Sequence, residues 1–80
     1  MTGTLDSSAG KLTVANLKVA NGTDKNVDGL KTLTALDAGT GAGFTLESDR
    51  TLDFVAVEKG GILTANGTLT TAQLTNAGKL

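Results

Sequence analysis

The residues best suited to chemistry in this chain are the oxygen donors of Asp24-Lys25-Asn26-Val27-Asp28-Gly29. Their spacing matches the opening of a calcium loop. In such a loop side-chain oxygens at alternate positions converge on a hard cation, and the glycine permits a sharp turn. Asp24, Asn26 and Asp28 are therefore the candidate metal ligands, and calcium is the one cofactor the sequence suggests. The match then stops. The twelfth position, which should supply a bidentate acid, is Ala35, and Asp37 lies two residues too far on. A neighbouring chain or main-chain carbonyls would have to complete the site. The plainer reading is a surface loop whose Asp and Asn side chains hydrogen-bond their own turn, and the truncated motif favours it.

Catalytic parts are scarce. The chain has no histidine, and it also lacks cysteine, so the commonest general base and the best nucleophile are missing. Ser7, Ser8 and Ser48 stand in polar, loop-like surroundings, none of them in a nucleophile elbow. Lys59-Gly60-Gly61 lacks the spacing of a phosphate-binding loop. Asn21-Gly22-Thr23 and Asn66-Gly67-Thr68 are glycosylation sequons, but Asn-Gly is also the strongest short hairpin signal, and turn chemistry explains both better. No catalytic residue is assigned, and a non-enzymatic protein is expected.

Eighty residues make one domain at most. A domain so small is marginally stable unless a disulfide, a metal or another chain supports it. Without cysteine or histidine, disulfides and the usual zinc sites drop out. The core must be thin, because Phe44 and Phe54 are the only aromatics and eleven residues are glycine. A homo-oligomer, or docking on a larger body, is expected. Net charge is −1 and the seven basic residues are scattered, which argues against a nucleic-acid partner. No apolar run reaches the length of a membrane span, so no membrane partner is expected. The N-terminus has neither the basic nor the apolar region of a signal peptide.

The elements that would position these residues read as strands. Gly43-Phe44-Thr45-Leu46, Leu52-Asp53-Phe54-Val55-Ala56-Val57, Ile62-Leu63-Thr64-Ala65 and Thr68-Leu69-Thr70-Thr71 are rich in β-branched and apolar residues. Glu47-Ser48-Asp49-Arg50, Glu58-Lys59-Gly60-Gly61 and Asn66-Gly67 separate them as turns. Residues 43–75 therefore read as a four-strand antiparallel meander, with 52–57 central and Phe54 in the core. Residues 11–20 should form a strand whose apolar phase slips between Val14 and Leu17, a sign of a bulge or bend. Residues 29–38 fit either a helical stripe of Leu30, Leu33 and Leu36 or a strand, and residues 70–78 fit either a short capped helix or a continued strand. Strand or irregular structure is preferred at the first and strand at the second. Residues 1–10 read as a flexible or partner-bound arm on a single β domain of residues 11–80. Val19-Ala20-Asn21-Gly22-Thr23 resembles Thr64-Ala65-Asn66-Gly67-Thr68, and Leu-Thr pairs recur, but the irregular spacing argues against a solenoid period. The expected fold is all-β, a small antiparallel sandwich or barrel of about five to seven strands.

Residues 33 to 67 carry a resemblance. Leu33-Thr34-Ala35-Leu36, Gly41-Ala42-Gly43-Phe44, Asp49-Arg50-Thr51-Leu52, Phe54-Val55-Ala56-Val57 and Gly60-Gly61 occur in that order. The order resembles small β-rich structural proteins of tailed bacteriophages. These are typically head decoration or accessory virion components, with a glycine-aromatic segment, a turn and an apolar strand ending in glycines. The chain departs from that pattern in having Glu58-Lys59 before the glycines. The resemblance implies a structural protein of the virion, assembled in the host cytoplasm and docked on the major capsid protein or another virion structural protein. It implies no catalytic residues. The alternative expectation is a carbohydrate- or surface-binding module of a phage fibre, adhesin or extracellular filament. Such modules usually present aromatics for ring stacking, and the core placement expected for Phe54 counts against it.

Overall fold

Short runs of threonine, valine and leucine, broken by glycine, asparagine and aspartate, favour many brief extended segments over a few long ones. The computed structural model describes residues 4–5, 12–25, 27–39 and 41–80. Among these residues there is no helix, and the strands are β1 (Thr4–Leu5), β2 (Leu12–Thr13), β3 (Asn16–Val19), β4 (Asn21–Thr23), β5 (Val27–Asp28), β6 (Thr32–Ala35), β7 (Phe44–Leu46), β8 (Arg50–Val57), β9 (Leu63–Ala65) and β10 (Leu69–Asn76).

Every pairing between these strands is parallel. The sheet orders are β1-β4-β7-β9, β10-β8-β6-β3 and β2-β5, so no strand pairs with its neighbour in sequence. Parallel partners need a crossover of a dozen or so residues, and here the crossover is one full coil of the chain. The result is a β-solenoid of about three turns. Asn16 lies beside Thr32, Thr32 beside Phe54 and Phe54 beside Gln73, so successive coils are 16, 22 and 19 residues long.

The long strands bend. The ladder between β8 and β10 passes from Leu52–Thr71 to Phe54–Gln73 and omits Asp53 and Ala72. At that level the Asp53 N–H donates to the Lys31 carbonyl at 2.7 Å, and the Lys31 N–H donates to the Ala15 carbonyl at 2.8 Å. Ala15, Lys31, Asp53 and Ala72 therefore stack as one corner of the coil. Side-chain phase changes at that corner. Leu52 and Val55 are both buried although two residues separate them, whereas Val55 and Val57 alternate as an ordinary strand does. The slip between Val14 and Leu17 is the same corner two coils earlier, where β2 gives way to β3.

Inward-facing residues stack rung upon rung. Leu17, Leu33 and Val55 form one column, and Val19, Ala35 and Val57 a second. Phe44 lies over Leu63 on another face. All eight are buried in one apolar cluster. Full burial of such a side chain is worth about 1.5–3 kcal/mol, so the columns hold the coils together.

This architecture corrects several expectations. The antiparallel sandwich or barrel is replaced by a parallel solenoid. The four strands expected within residues 43–75 are present, but β7 pairs with β9 and β8 with β10, so there is no meander. Asn66-Gly67 forms a bend between β9 and β10 rather than a hairpin, and Asn21-Gly22 opens β4. In a closed coil these pairs deflect the chain onto the next face instead of reversing it. A solenoid period is present despite the irregular spacing, because coils of unequal length still place their strands in register. It is not the similarity of residues 19–23 to 64–68, for the registers bring Gly22 in line with Leu63, not with Gly67. Phe44 is the fully buried aromatic, while Phe54 is only half-buried. Residues 29–38 and 70–78 contain strands β6 and β10. Of the expected arm at residues 1–10 only Thr4–Leu5 is described; it forms β1 beside Asn21–Gly22, and the rest lies outside the described residues.

Candidate functional site

Asp24 follows β4 at a corner of the second coil, and its side chain is buried, with 2% of the residue exposed. A carboxylate removed from water must be paired. Its Oδ1 accepts the Glu47 N–H at 2.6 Å, and its Oδ2 accepts Arg50 Nε at 2.5 Å. Arg50 stands at the start of β8 in the third coil. Its Nη2 donates to the Val27 carbonyl at 2.7 Å and to the Asp24 carbonyl at 3.2 Å. The guanidinium fork thus satisfies a carboxylate and two carbonyls at once, a geometry that lysine cannot reproduce. Arg50 is the only arginine in the chain. That was the one signal that could have marked it, and spacing gave no hint of its partner.

Of the three candidate calcium ligands, the two described ones, Asp24 and Asp28, lie in different surroundings. Asp24 is held by Arg50, and a cation on its carboxylate would face the guanidinium charge. Asp28 is exposed on β5 while its neighbour Val27 is buried, so the pleat turns Asp28 outward. Asn26 lies outside the described residues. Among the described residues no three acidic side chains are grouped closely enough to hold a metal ion. The Asp24–Arg50 pair binds coil to coil.

A different surface can meet a ligand. Phe54 lies on β8 between exposed Asp53 and buried Val55, its ladder neighbours being Thr32 on one side and Gln73 on the other. Because Val55 and Val57 face inward, Phe54 and Ala56 face outward. The outward column is Asn16, Thr32, Phe54, Gln73, and the next is Lys18, Thr34, Ala56, Thr75. Thr32 Oγ1 donates to Asn16 Oδ1 at 2.7 Å, which fixes the polar end of the first column. An aromatic ring is therefore flanked along its column by neutral hydroxyl and amide groups on a parallel sheet, with Lys18 in the next column and exposed Lys31 and Asp53 at the adjoining corner. Sequence reasoning missed this because strict alternation from Leu52 put Phe54 on the Leu52 side; the corner at Asp53 reverses that phase.

No family model, curated protein or solved structure matches the chain.

Proposed function

We propose that this chain is a non-enzymatic structural module. In this reading it is a short β-solenoid segment of a fibre-, adhesin- or filament-type assembly, which presents the outer face of the β3-β6-β8-β10 sheet to a carbohydrate-bearing surface. The observation that supports the reading is the outward column through Phe54. An aromatic face stacks on the apolar face of a sugar ring, and the flanking Thr32, Thr34 and Gln73 offer donors and acceptors for hydroxyls. The objection raised by a core Phe54 no longer applies. A glycan array probed with the protein displayed multivalently tests the idea. Reproducible binding that Phe54→Ala removes, with the fold retained, is expected. No binding to any glycan would overturn it.

A second reading is an accessory subunit of a virion, assembled in the host cytoplasm and docked on the major capsid protein or another shell protein. Its support is the order of segments in residues 33–67 that resembles such proteins, together with a wholly β fold among the described residues. Co-sedimentation with purified particles separates this reading from the first.

A further inference from the structure

The run Ala-Asn-Gly-Thr occurs twice, at residues 20–23 and 65–68, and the fold treats the two copies differently. Asn21-Gly22-Thr23 is strand β4 itself. The Asn21 Oδ1 accepts the Gly43 N–H at 3.1 Å, and the Gly22 N–H donates to the Gly43 carbonyl at 3.2 Å. A Cβ on Gly41 would collide with the same Asn21 oxygen, so the amide is packed as well as bonded. Asn66-Gly67 instead lies in the bend between β9 and β10, and Asn66 is exposed. Its flanks are pinned. The Asn66 N–H donates to the Leu46 carbonyl at 2.9 Å, the Thr68 N–H donates to Asp49 Oδ1 at 2.7 Å, and the Thr68 carbonyl accepts the Arg50 N–H at 2.9 Å. Between these pins, no partner among the described residues engages the Gly67 N–H or the Asn66 side-chain amide. Crowding rather than a positive φ demands glycine at 67, since a Cβ there would lie 2.5 Å from Asp49 Oδ1.

An asparagine amide beside a free N–H, with no Cβ on the next residue to block approach, can react with its own backbone. We propose that Asn66-Gly67 is a modification site at which the chain deamidates in water and converts to isoaspartate, while folding protects Asn21-Gly22. The Gly67 nitrogen attacks Asn66 Cγ. The N–Cγ bond forms, the Cγ–Nδ2 bond breaks, and ammonia leaves with the proton of the Gly67 N–H. Water then opens the cyclic succinimide. Addition at Cγ gives aspartate. Addition at the Asn66 main-chain carbonyl carbon breaks its bond to the Gly67 nitrogen and gives isoaspartate, whose main chain runs through Cγ. Nothing is oxidised or reduced. At the first copy both reactants are occupied, because the Asn21 oxygen and the Gly22 N–H are bonded to the same residue, Gly43. The conversion has a structural consequence. Isoaspartate adds a methylene to the main chain between the N–H groups held by Leu46 and Asp49, and places a negative charge one residue from the Asp49 contact. The corner must give up one of these bonds, and β10 loosens from β8.

The site is independent of the surface-binding reading and is tested without any glycan. The folded 80-residue chain is incubated in mildly alkaline buffer and mapped by peptide mass spectrometry, with electron-transfer fragmentation separating isoaspartate from aspartate. Asn66 should convert at least about tenfold faster than Asn21, the factor that opening two ordinary hydrogen bonds imposes. In urea the two should convert alike, because their immediate sequences are identical. Aged protein should melt at a lower temperature than fresh protein and exchange its amide protons faster across residues 69–76. Asn66→Ala, a change at an exposed side chain, should abolish that ageing. Equal rates at 21 and 66 in the folded chain, no conversion at 66, or a bias that persists in urea would overturn the assignment. Unchanged melting and exchange after conversion to isoaspartate would overturn the loosening of β10.

Discussion

Arg50 reaches back 26 residues in sequence to hold Asp24, Nε to Oδ2 at 2.5 Å, and thereby fastens the corner of one coil to the start of the next. The pair is almost fully removed from water on the carboxylate side. Removing one member of a buried pair leaves the other uncompensated, at a cost of about 3–5 kcal/mol. Arg50→Ala and Asp24→Ala should each lower stability by that order. The double variant should lose clearly less than both single losses combined. Additive losses in urea unfolding would show that the two side chains act separately.

Calcium should contribute nothing through Asp24, because its carboxylate oxygens already accept Glu47 N–H and Arg50 Nε. Melting curves with calcium and with EDTA are expected to coincide. A drop in melting temperature with EDTA that Asp24→Ala removes would instead make residues 24–29 a metal site.

The two phenylalanines should behave differently. Phe44 is fully buried over Leu63, and its truncation to alanine is expected to cost about 3–5 kcal/mol. Phe54 is half-buried on the outer face, and Phe54→Ala should cost only about 1 kcal/mol. Equal losses would place both rings in the core.

Much of this was legible locally and little of it globally. The runs 44–46, 50–57, 63–65 and 69–76 announce strands through their β-branched and apolar residues. Which strand lies beside which depends on whether Asn66-Gly67 reverses the chain or merely deflects it, and the dipeptide alone suits both. Coils of 16, 22 and 19 residues hide the period that would have decided the matter. The corner at Asp53 inverts the alternation, so Phe54 was assigned to the wrong face. Asp24 was visible as an oxygen donor, but its partner became apparent only when folding stacked the second coil on the third.

Gly43 tests how closely the coils approach. Its φ is +85°, and a Cβ built there would lie 2.5 Å from the Ile62 carbonyl oxygen. Gly43→Ala should cost roughly 2–5 kcal/mol through backbone strain and crowding together. At Gly39, with φ +62° and no atom near a built Cβ, alanine should cost about 1–2 kcal/mol from strain alone. Thermal unfolding of the two variants side by side reads the difference, and equal effects would mean that Gly43 has room.

The parallel coil itself is tested most directly by the neighbours of Val55. In isotope-labelled protein, inter-strand backbone nuclear Overhauser contacts from residues 54–56 should reach residues 32–34 on one side and 73–75 on the other, as the registers Leu33–Val55 and Val55–Leu74 require. Contacts from 54–56 to 44–46 and 63–65 in an antiparallel pattern would restore the meander and contradict the solenoid.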